Sequence, residues 1–221
     1  MSINTARTER LIRDVFDSSF SNDLIKIMKH NKTIEAQNGP ESLATLFLAD
    51  LFYNKIIVGK FKGLPNLVWS GQFEDGKTPK FIYVPNETQP FQFTRHNGQV
   101  ISPHTMDTDG GSIPSCLHSL KDFGPWDFAL GYMIHDWIFV AKNCNHDTNN
   151  MFTFEESAMI LAECIKTMME VGFVDFDDKN VQHPKNEDAL YIIFLAVSSW
   201  IAKEAWNDPD SYFCRLDQSN N

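Results

Sequence analysis

Reactive side chains concentrate between His104 and Asp147. Two strings stand out there. The first is Thr108-Asp109-Gly110-Gly111-Ser112-Ile113-Pro114, an acid followed by two glycines. Glycine reaches backbone conformations closed to other residues, so carbonyls and amides can be turned toward one point. Hard cations such as calcium favour carbonyls combined with a carboxylate, which makes Asp109, Gly110 and Gly111 a candidate metal loop. The plain alternative is a tight turn that ends a sheet and starts a helix. The second string is Ile134-His135-Asp136-Trp137. Neighbouring helical residues point about 100° apart, so His135 and Asp136 can flank one cavity, the imidazole touching a water and the carboxylate a metal beside it. Histidine suits proton transfer because its ordinary pKa lies near neutrality.

The segment that carries this pair is apolar almost all round, with Phe128, Leu130, Met133, Ile134, Trp137, Ile138, Phe139 and Val140. Such a helix is buried. A buried aspartate is costly unless it is paired or metal-bound, so Asp136 is expected to have a partner: a cation, or a structural Arg, Lys or amide. A second pair, His146-Asp147, follows Cys144 in a polar stretch past the helix end. Cys144 and His146 offer a transition-metal pair, set against a solvated loop. His104 and His118 read as surface or capping groups. Thr153-Phe154-Glu155-Glu156 is a capping-box pattern, in which acids of the first turn also suit the helix dipole. A role for Glu155 or Glu156 in orienting His135 from the facing helix is the alternative.

The elements that must position these residues follow from periodicity and turn chemistry. Thr5 to Lys29 places Leu11, Ile12, Val15, Phe16, Phe20, Leu24, Ile25 and Met28 at helical spacing, and Asn38-Gly39-Pro40 breaks it. Glu41 to about Phe52 predicts a second helix. The runs Ile56-Ile57-Val58, Leu67-Val68-Trp69, Phe81 to Val84 and Phe91-Gln92-Phe93 are β-prone and separated by turn residues, with Asn97-Gly98 as a hairpin signal. Gly124-Pro125 opens a helix to about Ala141, Thr153 opens another that ends near Gly172, and Asn186 caps a third through about Trp206. The expected fold class is α+β: a small antiparallel β-sheet flanked by N-terminal helices and a C-terminal three-helix unit. Residues 1–55 read as a helical N-terminal extension. Residues 56–221 read as a single α+β domain, with sheet 56–103, Gly loop 107–114 and helices within 112–206.

Composition narrows the class. The chain has 221 residues, 43 % of them apolar and 22 % charged, with a formal net charge of −10. It is long enough to bury a core without a staple, and its acidity argues against a nucleic-acid partner, which needs a basic face. Eighteen Phe imply an aromatic-rich core or pocket. Cys116, Cys144, Cys164 and Cys214 form no C-x-x-C pair, and Met1 to Arg13 has no apolar secretory core. Free thiols and a cytoplasmic compartment are the expectation. The apolar stretch Ala189 to Ala202 is too short to span a membrane and reads as a core helix.

The string T-D-G-G-S-I-P followed by A-L-G-Y-M-I-H-D-W-I-F resembles an uncharacterised family common in tailed phages and prophages. Its members carry T-D-G-x-S-x-P, then an A-x-x-x-H-D-x-[LI]-[YF] helix, then a helix with an Ala-Asp pair. The likeness covers roughly residues 80–172. Gly131 stands where the second motif begins with Ala, and Ser157-Ala158-Met159 where the third has Ala-Asp. The same helix is similar to phospholipases A2 of the bacterial and parvoviral kinds. That likeness implies His135 as the base that deprotonates water, Asp136 as a calcium ligand beside Asp109, Gly110 and Gly111, and Glu156 as the orienting acid.

Three functions compete on this footing. The first is a phage-type hydrolase that activates water on a small-molecule or lipid ester with calcium as cofactor. The second is a non-catalytic phage structural or host-interaction protein with a protein partner, in which His135 and Asp136 are buried structural groups. The third is a His-Asp metal-dependent phosphohydrolase that would recruit His104 and Asp175.

Overall fold

The computed structural model describes residues 49–74, 78–108, 110, 124, 126–146, 152–208 and 214. The expected helix of residues 5–29 lies outside them, as do Asp109, Gly111 and the rest of the Gly loop from Ser112 to Pro114. The architecture is α+β. Residues 49–55 are helical. Six strands follow among the described residues: β1 (Lys60–Lys62), β2 (Leu67–Glu74), β3 (Thr78–Tyr83), β4 (Gln92–Thr94), β5 (Val100–Ile101) and β6 (Met106–Thr108). Helices α1 (Ala129–Asn143) and α2 (Phe154–Glu170) come next, then the strand pair β7 (Phe173–Val174) and β8 (Asn180–Val181). Helices α3 (Glu187–Val197) and α4 (Trp200–Asn207) close the order.

The strands before α1 do not form one sheet over 56–103. They form two antiparallel three-stranded sheets, ordered β1-β4-β5 and β2-β3-β6. Ile56-Ile57-Val58 is not a strand, and Met106–Thr108 joins the second sheet, opposite Tyr83, Ile82 and Phe81. The strands therefore run into the stretch expected as loop. The Asn97-Gly98 hairpin forms as expected: Gly98 takes a φ of 86°, and Arg95 N donates to Gln99 O at 2.8 Å. Buried rings join the two sheets, with Phe61 stacked on Phe91 at 5.9 Å and Tyr83 edge-on to Phe91 at 6.3 Å.

Helix α1 is buried without a break from Leu130 to Ala141. Its close approach to α2 is set at Gly131, where a Cβ would lie 3.3 Å from both Cys164 Cβ and Leu161 Cδ1. The capping box that opens α2 is complete: Glu156 N donates to Thr153 Oγ1 at 3.1 Å, and Thr153 N to Glu156 Oε2 at 3.0 Å. Two buried charges brace α2. Arg95 grips Glu163 with two bonds of 2.8 and 2.7 Å, a bidentate geometry that offsets the cost of burial. Lys166 Nζ donates to Tyr53 O and Ile56 O at 2.8 and 2.9 Å, tying the helical residues 49–55 to α2.

Asn186 caps α3 as expected, accepting from Ala189 N at 3.0 Å. The helix expected to reach Trp206 is interrupted at Ser198-Ser199. Ser198 Oγ donates back to Phe194 O at 2.7 Å, and Ser199 becomes the cap of α4. Hydroxyls compete for helical carbonyls and amides in this way.

The expectation of free thiols is corrected at one pair: Cys144 and Cys214 form a disulfide. Cys164 is free and buried. Among the described residues, no helix is long and apolar enough to cross a membrane.

Candidate functional site

Strand β6 delivers the start of the Gly loop onto the middle of α1. Thr108 pairs across from Phe81 and turns its hydroxyl toward the helix, where Oγ1 donates to Asp136 Oδ2 at 3.1 Å. Gly110 follows with φ 108°, a value that disfavours any side chain, and its N–H donates to Thr108 Oγ1 at 3.2 Å. Thr108 and Asp136 are 5 % and 7 % exposed. The Thr108 hydroxyl is thus one partner of the buried Asp136 carboxylate.

His135 is as buried as its neighbour, at 6 % exposure. Its surroundings differ. The ring lies 4.8 Å from Phe139, one turn on, and Nε2 has no hydrogen-bond partner. Burial alone lowers its pKa from 6.5 to about 4, so the imidazole is neutral at neutral pH. Neutral imidazole is the form that accepts a proton or binds a metal.

Tyr132 is a site residue that sequence reasoning missed. It stands one turn before Asp136, on the same side of α1, and is 2 % exposed. Its hydroxyl has no hydrogen-bond partner. Burial, and then the carboxylates of Asp127 and Asp136, push its pKa far up, so it remains an O–H donor. The available signal was the spacing Tyr132 to Asp136 on a helix already expected to be buried.

The other candidates divide. Gly110 lies at the site. Asp109 and Gly111 lie outside the described residues. Glu156 sits in its capping box, with Oε2 on Thr153 N. His104 stacks on Trp137 at 4.9 Å, on a different side of α1 from His135. Asp175 closes the β7–β8 turn, Oδ1 accepting from Asp177 N and Lys179 N at 2.9 and 2.8 Å.

Calcium takes about six to eight oxygen ligands. The described residues supply the Asp136 carboxylate, already bonded to Thr108, and the Thr108 hydroxyl. Among them no group of three or more His, Cys, Asp or Glu is arranged to hold a metal. No family model, curated protein or solved structure matches the chain.

Proposed function

We propose that the chain is a phage-type hydrolase in which His135 activates water on an ester, with a phospholipid ester as the substrate class. One observation carries the reading: His135 Nε2 is a buried ring nitrogen without a hydrogen-bond partner, on a helix whose next residue is fastened to the Gly loop. Leaving a buried polar atom unpaired costs about 1–3 kcal/mol, and such atoms collect at sites that take a proton or a ligand. In the proposed step, Nε2 removes a proton from water as the water oxygen attacks the ester carbonyl. The imidazolium then returns the proton to the departing alcohol. Asp136 holds the loop in register through Thr108. Tyr132, kept protonated on the Asp136 side of the helix, is a candidate donor for the oxygen that gains charge.

The test is hydrolysis of short-chain esters and of phospholipid vesicles, with EDTA and with added calcium. His135→Phe keeps a flat aromatic ring, one atom larger, and removes both nitrogens. Loss of turnover with an unchanged or raised melting temperature supports the reading. Full turnover by that variant removes it, and indifference to EDTA and calcium removes calcium from it.

A second reading is favoured by the low exposure of both residues. In a non-catalytic phage structural or host-interaction protein, Asp136 would pin β6 to α1 and His135 would be neutral filling. Absence of any ester turnover in the unaltered chain favours it. The bridge between Cys144 and Cys214 withdraws the support that free thiols lent to a cytoplasmic compartment.

A further inference from the structure

We propose that His104 and His146 form an open, all-nitrogen site for a divalent transition cation of the zinc, copper and nickel group, set over Trp137 and distinct from the His135–Asp136 pair. Three rings make one cluster. His104 lies parallel to Trp137, with centroids 4.9 Å apart and planes 3° apart. His146 sits 5.5 Å from Trp137 and 5.8 Å from His104. Both imidazoles are exposed, while Trp137 beneath them is 5 % exposed.

The pair is held in place by the fold. Helix α1 ends in a Schellman arrangement: Asn145 takes φ 58°, His146 N donates to Ala141 O at 2.8 Å, and Asn145 N to Lys142 O at 3.5 Å. This turn folds His146 back over Trp137. His104 is fixed by its stack on the same ring, two residues before β6 begins. A site held in advance loses little side-chain freedom on binding.

The geometry suits one ion. Two imidazoles on a tetrahedral zinc, with bonds of about 2.0–2.1 Å, hold their centroids roughly 5 Å apart. The two exposed rings, 5.8 Å apart, lie close to that separation. The ligand type narrows the metal. Cys144 is bonded to Cys214, which leaves nitrogen donors and water and favours imidazole-binding ions over thiolate-seeking Cu(I). The formal net charge of −10 raises the local concentration of cations. Among the described residues no third His, Cys, Asp or Glu is arranged to join the pair.

The test uses the full, untagged chain stripped with EDTA. Zinc, copper(II) and nickel(II) chlorides are titrated separately by calorimetry, and copper also by tryptophan fluorescence. The expected result is saturable one-to-one binding, with quenching by copper. His104→Gln and His146→Gln should each weaken binding by about tenfold or more, and His135→Phe should leave it unchanged. Binding by both Gln variants within twofold of the unaltered chain overturns the proposal, as does no saturable binding below about 1 mM, which is weaker than a preformed pair should give. A measurement on the unaltered chain guards against variants that fail to fold: the electron spin-echo envelope of bound copper should report two imidazoles. One imidazole, or none, overturns the proposal.

Discussion

His135 and Asp136 are adjacent in sequence and almost equally buried, yet the two sides of α1 they occupy differ in kind. The Asp136 side carries Tyr132 one turn earlier and meets β6, where Thr108 donates to the carboxylate. The His135 side carries Gly131 one turn earlier and Phe139 one turn later, and it presses on α2 through Gly131. The difference follows from what each group can do when water is removed. A carboxylate left unpaired in an apolar interior is very costly, so the fold supplies a donor. An imidazole can shed its proton and become neutral, so the fold need not supply one. That freedom leaves Nε2 unused, and it is the basis of the proposed chemistry.

The largest expected effect tests whether His135 really sits in the apolar surroundings this contrast requires. Its folded pKa is about 4, against an ordinary 6.5. The unfolded chain thus takes up a proton in a range where the folded chain does not. Stability from this group is complete above about pH 6.5 and is lost as pH falls toward 4. The loss amounts to about 3 kcal/mol. Urea unfolding from pH 7 to pH 4, on the unaltered chain and on His135→Phe, isolates it as the difference between two curves. Parallel curves would mean that the imidazole charges as easily folded as unfolded, and the contrast between the two sides would fail.

The second effect acts on the opposite side. Thr108→Val keeps the shape of the side chain and removes the donor to Asp136. Hydrogen bonds to charged groups contribute about 1.5–3 kcal/mol, so a loss of about 2 kcal/mol at pH 7 is expected in urea unfolding. His135→Phe should cost less than Thr108→Val, because it removes a group that no partner satisfies, which offsets the strain of a slightly larger ring. Equal losses from both substitutions would erase the asymmetry. A neutral Thr108→Val would show that Asp136 is held by other contacts.

Much of this was legible because it was local. The capping box at Thr153, the cap at Asn186 and the Asn97-Gly98 hairpin depend on residues within one turn of each other, and all three form. The apolar surround of the His-Asp helix, and with it the need for an Asp136 partner, was legible too. The partner was not. Thr108 lies one residue before the expected ligand Asp109 and reaches Asp136 only because Met106–Thr108 pairs with β3. Three residues carry no readable alternation, and which sheet they join is settled by distant register. The division into two sheets was hidden for the same reason. The break at Ser198-Ser199 was masked by a continuous apolar run. The bond between Cys144 and Cys214, with a sequence separation of 70, left no local trace.

The smallest expected effect asks how tightly the His135 side is packed. In Gly131→Ala two terms oppose each other. Alanine in a helix interior is favoured over glycine by about 0.8–1.0 kcal/mol. Against this, the new methyl would lie 3.3 Å from Leu161 Cδ1 and from Cys164 Cβ. The leucine tip can rotate away. The cysteine Cβ is fixed to the α2 backbone, so α1 and α2 must part by a few tenths of an ångström, and overpacking of a filled core costs about 1–3 kcal/mol. A net destabilisation of no more than about 1 kcal/mol is expected, read as a lower urea midpoint with an unchanged slope. Full recovery of the alanine preference would show that α2 gives way easily beside His135. The imidazole would then have room for water that its low exposure does not suggest, and the contrast with the tightly bonded Asp136 side would become one of packing as well as of partners.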